Sequence, residues 1–572
     1  MQCEIQNASS LLDVWSSFIK RYLLQEKQLI SYKCPKEMRH DFDLDQEQGT
    51  DYDLELLKTL EQVAELSPWS QHPNLLGYLY SNPDLIGLIG DWMVTAVNTN
   101  VHTYQASPVF SMAEDILCKK LAEIVGFDGY ADGIFCPGGS YSNMLAIFVA
   151  KKKALSLGAE VEQLVLFSSE QSHYSLDKAA ELIGLRRENV RKIHCDPQGV
   201  MKTADLAIEL KKSVDSNRYP FFVCATAGTT VLGAIDRIDE IANILENYEN
   251  TWFHVDGAWG GAILLSSQHR DKLKGIEKAN SITWDFHKAL GAPILCSGFL
   301  CKHKKYLENM FNVKDDYLFH NDMADEDMDL GKKTLQCGRR GDAFKLWLMF
   351  KIRGFGYYEN LIDNKFINTN YFIEKLKKYD DIWLYTENPD TWNICFWYVP
   401  KYLKHKKLIK RCNDVDSKNI DMTTINIFKY FAKQGNIQLN YAKLEGIPSF
   451  LRVVIGGSNV SFDSIDNAIC AIRSIGFLVT GSVEDFLISG GDERLWIDDN
   501  GYNKNYSSPV PKPSQIARSS CTCSTIKKAE FDKLEEVVHK LKDGKISFEK
   551  LAMNIHDRIR NLLKADESVS IV

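Results

Sequence analysis

Apolar residues along the chain form short runs that end in polar or glycine-rich turns, and stretches with helical spacing follow many of these runs. From about residue 106 this alternation predicts a series of strands, which are Gly133–Cys136, Leu164–Phe167, Phe221–Thr226, Thr251–Val255 and Ser297–Cys301. Strands that alternate with helices indicate an α/β domain with a largely parallel sheet. Ligands of such sheets collect beyond the carboxyl ends of the strands.

The pattern changes on either side of this region. Apolar residues at helical spacing over Leu11–Leu24 predict a helix near the start of the chain. Strands at Asn393–Val399 and Phe450–Ile455, with a helix at Ser464–Ile475, predict a second and smaller α+β unit. The chain is therefore expected to have four parts, which are an N-terminal helical segment (1–105), a large domain (106–375), a small C-terminal domain (376–480) and a linker with a helical tail of unknown role (481–572).

Composition and charge narrow the class of protein. The 572 residues are 45% hydrophobic and 25% charged, which is typical of globular proteins. No apolar run has the length of a membrane span, and Met1–Gln25 lacks the apolar core of a secretory signal. The net charge of −8 argues against a general binder of nucleic acid or of anionic membranes.

The 14 cysteines are scattered, mostly singly, within apolar segments. This usage is typical of reduced thiols, so we expect a cytoplasmic protein. Cys521 and Cys523 form one close pair, but no second pair with zinc spacing stands near them. We therefore expect no metal site.

Two places in the large domain bear groups that suit a phosphorylated aldehyde. Gly138-Gly139-Ser140 follow a predicted strand and open a helix, where free N–H groups and hydroxyls bind phosphate; an ordinary turn is the alternative. Lys288 directly follows an apolar run, and a lysine in such a place forms Schiff bases with aldehydes; a solvated loop lysine is the alternative.

Three further polar residues follow predicted strands. Asp256 carries a carboxylate into a turn, where it would pair with a protonated pyridine nitrogen or cap a helix. His173 would stack on a flat ring or have a structural role, and Thr230 would supply a hydroxyl donor. Taken together, these groups are the set needed to hold pyridoxal phosphate.

The sequence resembles the group II pyridoxal-phosphate-dependent amino-acid decarboxylases, and within them the branch of glutamate and cysteine sulfinate decarboxylases. The resemblance covers roughly residues 50–480. Motifs in the order and approximate spacing of that family carry it, and they are 98–110 (NTNVHTYQASPVF), 133–140 (GIFCPGGS), 169–175 (SEQSHYS), 225–230 (ATAGTT), 254–261 (HVDGAWGG), His287-Lys288, 317–319 (YLF), 336–339 (QCGR) and 450–452 (FLR).

The resemblance implies a fold-type I architecture, with a mostly parallel seven-stranded sheet and a small C-terminal α+β domain. It also implies a homodimer with shared active sites that decarboxylates a small acidic amino acid: cysteine sulfinate, aspartate or glutamate. The resemblance assigns most of the candidate residues to the cofactor: Lys288 bonds to its aldehyde, Asp256 pairs with the ring nitrogen, His173 and Ala258 cover the two ring faces, and Thr230 hydrogen-bonds near the ring. Gly139, Ser140 and His287 surround the phosphate. Of the remaining two, Tyr317 protonates the product carbanion and Arg452 binds a substrate carboxylate.

The chain departs from the family pattern in places that bear on the substrate. Tyr78 stands where members that act on glutamate usually have glutamine, and His102 stands at a pocket position where Phe or Tyr is frequent. Asp285 and Phe286 replace a common Asn and Pro before the His-Lys pair, and Gly257 replaces an Ala. The alternatives are decarboxylation of a non-acidic, for example aromatic, amino acid, oxidation of the substrate to an aldehyde, and a non-catalytic scaffold.

Overall fold

A computed structural model describes residues 2–24, 27–41, 52–129, 131–311, 328–406 and 412–480. Its main sheet has seven strands, which are β1 (Asp132–Cys136), β2 (Leu164–Ser169), β3 (Val190–Ile193), β4 (Tyr219–Thr226), β5 (Trp252–Asp256), β6 (Ser281–Asp285) and β7 (Ser297–Cys301). The predicted α/β class and the seven-stranded, mostly parallel sheet are therefore confirmed.

The strand order across this sheet is β1-β7-β6-β5-β4-β2-β3. Strands β6, β5, β4, β2 and β3 are parallel to one another, and β7 runs antiparallel to both of its neighbours, β1 and β6. Ser297, the first residue of β7, pairs with both Cys136 and Asp285, the last residues of β1 and β6. The carboxyl ends of β1, β4, β5 and β6 consequently lie along one edge of the sheet.

The strands are nearly continuous apolar runs because helices cover the sheet. Strands β2, β5, β6 and β7 are buried along their whole length, as is expected when both faces of a parallel sheet are covered. The helices are α1 (Gln2–Leu24), α2 (Pro35–Asp41), α3 (Tyr52–Leu66), α4 (Leu85–Val97), α5 (Pro108–Val125), α6 (Gly139–Ser156), α7 (Ser175–Leu182), α8 (Thr203–Asp215), α9 (Ile238–Leu245), α10 (Tyr306–Phe311), α11 (Asp342–Arg353), α12 (Phe355–Leu376), α13 (Asp414–Gln434) and α14 (Phe462–Thr480).

A second sheet of four strands stands in the predicted small domain. Its strands are β8 (Ile382–Leu384), β9 (Asn393–Tyr398), β10 (Asn440–Ala442) and β11 (Phe450–Val454), in the order β10-β11-β9-β8 with every neighbouring pair antiparallel.

The domain boundaries at residues 105, 375 and 480 remain predictions. The tail, 481–572, lies outside the described residues. Within the described residues, none of the helices has both the length and the apolar content that a bilayer crossing requires.

Candidate active site

Lys288 lies in the turn that follows β6. Its Nζ is 3.0 Å from Oδ2 of Asp285, and its side chain is 22% exposed. The hydroxyl of Ser81 donates a hydrogen bond of 3.0 Å to the main-chain carbonyl of Lys288. The lysine is thus held at its backbone, while its amine reaches the edge of the sheet where β5 and β6 end.

Asp256, the last residue of β5, is a buried carboxylate. Its Oδ2 accepts a hydrogen bond of 2.8 Å from the Asn143 side chain, and its Oδ1 accepts one of 3.1 Å from the Ala258 N–H. No lysine, arginine or histidine forms a salt bridge with it within the described residues. The carboxylate therefore closes its own turn, and among the described residues it has no cation bound to it, so it is available to a cationic group of a ligand.

The His173 imidazole faces the same place. Its Nδ1 lies 2.8 Å from the Ser175 hydroxyl oxygen. Burial lowers the pKa of His173, whereas the charge of Asp256 raises this pKa and the charge of Lys288 lowers it. Three of the predicted residues, from the ends of three different strands or the turns that follow them, are therefore brought together by the fold.

The glycine turn before α6 lies against the β6 end of the sheet. Gly138 has φ +96°, a conformation that favours glycine, and Gly139 opens the helix. A Cβ atom on Gly139 would lie 2.7 Å from Asp285 Oδ2, so a larger residue would not fit beside this carboxylate. Ser140 is exposed at the first turn of the helix.

His287 lies beside this turn and is largely buried. Its Nδ1 lies 2.9 Å from the Cys296 carbonyl oxygen, and its Nε2 lies 3.9 Å from Asp285 Oδ2. Burial lowers the pKa of His287 although Asp285 raises it, so the neutral ring is favoured near neutral pH. The adjacent Phe286 packs in the core, 5.6 Å from the ring centre of Phe135.

Arg452, in β11, donates hydrogen bonds to two main-chain carbonyls, one of which belongs to the predicted residue Thr230. Its Nη1 donates to the Thr230 carbonyl at 2.7 Å, and its Nη2 donates to the Gly77 carbonyl at 2.8 Å. Tyr78 follows Gly77 and stacks on Tyr80 with ring centres 4.9 Å apart. The contacts of Thr230 that the structure gives are thus made by its carbonyl, so the predicted role of its hydroxyl stays a prediction.

The predicted roles of two further residues, His102 and Tyr317, stay predictions. His102 is buried against Gly331, where a Cβ atom would overlap the imidazole, and burial lowers the pKa of His102. Its role in the substrate pocket stays a prediction. Tyr317 lies outside the described residues, so its predicted role in proton transfer also stays a prediction.

A buried polar network behind Asp256 was not anticipated from the sequence. Asn143 connects Asp256 to His254, whose Nε2 lies 3.1 Å from Asn143 Oδ1, and His254 Nδ1 lies 2.8 Å from the Ser281 hydroxyl. Burial lowers the pKa of His254 to about 4. The sequence did contain one signal of this network. His254 and Asp256 are two residues apart on a strand, and such residues point to the same face.

Comparison with known proteins bears on this arrangement. Residues 35–399 match the model of the pyridoxal-dependent decarboxylase conserved domain. The chain is 35% identical over 460 residues to the acidic amino acid decarboxylase GADL1 of Mus musculus, covering 79% of this chain and 82% of that protein. It is equally identical to the Bos taurus protein of the same name, over 79% of this chain and 86% of that protein.

Solved structures agree with these matches. The crystal structure of mouse CSAD superposes with a TM-score of 0.77 and 32% sequence identity, and the match covers 82% of this chain and 99% of that one. Tryptophan decarboxylase of Catharanthus roseus, in complex with L-tryptophan, superposes with a TM-score of 0.72 at 20% identity, over 83% of this chain and 98% of that one. At that identity the second similarity shows the fold alone.

Proposed function

Because the chain belongs to the pyridoxal-dependent decarboxylase family, we propose that it converts a small acidic amino acid to the corresponding amine and CO2. Cysteine sulfinate, aspartate and glutamate are the substrates of this class. The protein is a carboxy-lyase, and its cofactor is pyridoxal phosphate.

The residues at the sheet edge fit this cofactor. Asp256 is a buried carboxylate without a salt-bridge partner in the described part of the chain, which suits a protonated ring nitrogen. The Gly138-Gly139 turn stands at the N-terminus of a helix of 18 residues, where backbone N–H groups bind phosphate. Lys288 brings a primary amine to the same edge.

When bound, pyridoxal phosphate supplies an aldehyde that captures amines and a ring that accepts the electron pair left when CO2 departs. In this proposal Lys288 holds the cofactor through Nζ, and Asp256 keeps a proton on the ring nitrogen. His173 and Ala258 cover the ring from its two faces. The Gly139 and Ser140 backbone N–H groups donate to the phosphate, beside His287.

Two further residues act in this proposal, one on the cofactor and one on the reacting carbon. The Thr230 hydroxyl donates a hydrogen bond near the ring. The Tyr317 hydroxyl delivers a proton to the α-carbon after CO2 has left, a role that rests on the family resemblance. Tyr317→Phe should therefore release CO2 while its product shifts from amine toward aldehyde, and an unchanged amine yield would remove Tyr317 from this role.

In this proposal Arg452 determines the specificity for an acidic substrate. Its side chain is buried, and within the described residues its hydrogen-bond partners are neutral carbonyls rather than a carboxylate. A buried cation is costly unless an anion pairs with it, and a planar guanidinium suits a carboxylate or sulfinate. Tyr78 and His102 would complete this substrate pocket.

The test is a panel of amino acids with purified protein, with CO2 and amine measured by mass spectrometry. Turnover of an acidic amino acid that is lost in Lys288→Ala supports the proposal. Lys278→Ala is the control and should keep this turnover, because Lys278 is a half-exposed lysine elsewhere. Turnover of aromatic amino acids alone would overturn the substrate class. An absence of any turnover would favour a non-catalytic scaffold instead.

We also propose that two copies form a homodimer with shared active sites. Helix α4 exposes an apolar stripe at every fourth residue, and helix α5 exposes a second one nearby in the chain; their exposed residues are Leu85, Ile89, Met93, Val97, Val109, Met112 and Ile116. Such contiguous apolar faces are typical of protein interfaces. In sedimentation experiments the wild type should be a dimer, and Met93→Glu should shift it toward monomer. A wild-type protein that sediments as a monomer would contradict the proposal.

A cytoplasmic location is proposed as well. The cysteines whose side chains the structure describes, from Cys34 to Cys470, are free thiols, which suits a reducing compartment. Cell fractionation of the tagged protein tests this, and recovery in a secreted or membrane fraction would contradict it.

A further inference from the structure

Asn143, near the start of α6, lies between Asp256 and the segment that carries His173. Its Nδ2 donates to Asp256 Oδ2 at 2.8 Å and to the Ser175 hydroxyl oxygen at 3.0 Å. Asn143 and Ser175 are buried, with 1% and 4% of their surfaces exposed. The Ser175 hydroxyl oxygen lies 2.8 Å from Nδ1 of His173. One side-chain amide therefore connects the carboxylate of Asp256 to the imidazole of His173.

The carboxylate of Asp256 decides the direction of these hydrogen bonds. An ionised carboxylate only accepts hydrogen bonds, so the Asn143 amide turns its NH2 group toward Asp256. The amide oxygen then faces Nε2 of His254, 3.1 Å away, which donates to it. The Ser281 hydroxyl accepts from Trp252 Nε1 at 2.8 Å, so its own proton is free for Nδ1 of His254. The orientation of the amide is thus determined on both of its sides.

The Ser175 hydroxyl passes this direction on to His173. Its oxygen accepts from Asn143, which leaves its own proton for His173 Nδ1. The Ser175 main-chain N–H donates to the same Nδ1 at 3.2 Å. A ring nitrogen that accepts hydrogen bonds carries no proton, so the neutral imidazole carries its proton on Nε2.

The surroundings of His173 favour this neutral ring. Burial lowers the pKa of His173, and this effect opposes the charge of Asp256, which raises the pKa. The charged groups that act on the ring are Asp256 on β5, Asp285 on β6, Lys288 in the turn after β6 and Lys178 on α7, and the Tyr174 ring centre lies 4.2 Å away. Among the described residues, none forms a hydrogen bond with Nε2 of His173, so this N–H is open to a ligand.

We propose that Asn143 and Ser175 are positioning residues that hold His173 in the tautomer with its proton on Nε2, so that the ring meets a ligand with an N–H group. This inference rests on the proposed function, which places His173 over one face of the cofactor ring. The amide that holds the carboxylate for the ring nitrogen then also determines which ring nitrogen of His173 is the donor. Both residues act through Asp256 and His173 rather than on the substrate.

The direct test is ¹⁵N NMR of the histidine side chains in the full-length protein, with and without pyridoxal phosphate. His173→Gln assigns the resonances of this ring. The shift of an imidazole nitrogen depends strongly on whether it carries a proton, so the spectrum reports the tautomer. The wild type should have a protonated Nε2 and an unprotonated Nδ1. A proton on Nδ1 of the neutral ring would overturn the inference.

A pH titration of the same resonances tests the role of Ser175. A hydrogen bond to the neutral imidazole opposes its protonation, so Ser175→Ala should raise the pKa of His173 by about 0.5 to 1. Ser175→Thr keeps the hydroxyl and should titrate as the wild type does. Ser172→Ala is the matched control, because it removes a neighbouring hydroxyl that donates to Ser168 at 3.1 Å and not to His173. An unchanged pKa in Ser175→Ala would overturn the inference.

A double-mutant cycle tests whether Asn143 acts through Ser175. Asn143→Ala removes the donor that orients the Ser175 hydroxyl, so it should raise the pKa of His173 when Ser175 is present. It should have little effect in the Ser175→Ala background, because the hydroxyl through which it acts is then missing. An effect of Asn143→Ala that is equally large in both backgrounds would contradict this part of the inference.

Kinetics of the cofactor-loaded protein test the consequence for the reaction. Ser175→Ala should lower kcat about 2- to 10-fold with little change in KM, as the loss of one hydrogen bond implies, and Ser175→Thr should restore it. The two proposals fail in different ways. If no variant and no wild-type protein binds pyridoxal phosphate, the proposed function is wrong. If the cofactor binds but Nδ1 carries the proton, or Ser175→Ala leaves the pKa of His173 unchanged, only this inference is wrong.

Discussion

Replacing Arg452 by glutamine should remove the preference for acidic substrates. Two of the five guanidinium N–H groups donate to the carbonyls of Gly77 and Thr230, which leaves three for a ligand. Nε is one of these, and it is buried without a hydrogen-bond partner. Burial lowers the pKa of Arg452, but a guanidinium stays protonated in proteins.

The magnitude follows from the kind of bond that is lost. A hydrogen bond to a charged group contributes about 1.5–3 kcal/mol, which corresponds to about 10- to 150-fold in kcat/KM. Arg452→Gln should therefore lower kcat/KM for cysteine sulfinate, aspartate and glutamate by that factor. The value for a neutral amino acid of similar size should change by less than threefold.

The variant also affects folding, and the assay must separate the two effects. Thr230 retains a second donor, Asn393 Nδ2 at 3.2 Å, whereas the Gly77 carbonyl loses its bond to Arg452. We expect a loss of about 1–3 kcal/mol in the free energy of unfolding. Arg473→Gln is a matched control, because Arg473 pairs with Asp381 at 2.8 Å and should change stability without changing selectivity.

The measurement is kcat/KM for acidic and neutral amino acids with the cofactor-loaded wild type, Arg452→Gln and Arg473→Gln. An equal loss for acidic and neutral substrates in Arg452→Gln would refute the reasoning. It would mean that Arg452 supports the fold rather than the charge of the substrate.

Three further variants test other parts of the account. Glu114→Gln breaks a buried ion pair of 2.5 Å with Arg339, so urea unfolding should show a loss of about 3–5 kcal/mol. The pKa of His254 is near 4 in the folded protein and about 6.5 in the unfolded chain, so lowering the pH from 7.5 to 5 should destabilise the wild type by about 2 kcal/mol more than His254→Gln. Gly139→Ala forces a Cβ atom against Asp285, which should cost about 1–3 kcal/mol of stability and reduce binding of pyridoxal phosphate.

Apolar runs were sufficient to predict most of the main sheet. Strand β7 begins and ends where the sequence predicts, and β5 differs from its prediction by one residue at each end. Strand β3 was missed because Val190-Arg191-Lys192-Ile193 is half polar, as an edge strand with one neighbour can be. Its place in the sheet is decided by pairing with β2, which no local pattern records.

The candidate site was predictable where a residue follows a strand. Lys288, Asp256 and His173 all come after apolar runs, and the parallel sheet brings those ends together. The acid at residue 285 was visible in the sequence as a departure from the family. Its contact with Gly139 was not visible, because it depends on how β6 and the start of α6 lie against each other. The network through Asn143 was likewise hidden, since a helix residue and a strand residue meet there across 113 positions of the chain.

The most direct test of the central claim is product analysis with cysteine sulfinate, aspartate and glutamate as substrates of the cofactor-loaded protein. The account predicts equal amounts of CO2 and amine from at least one of the three, and neither product from Lys288→Ala. Release of CO2 and amine at the wild-type rate by Lys288→Ala, or their absence with all three acids in the wild type, would contradict it.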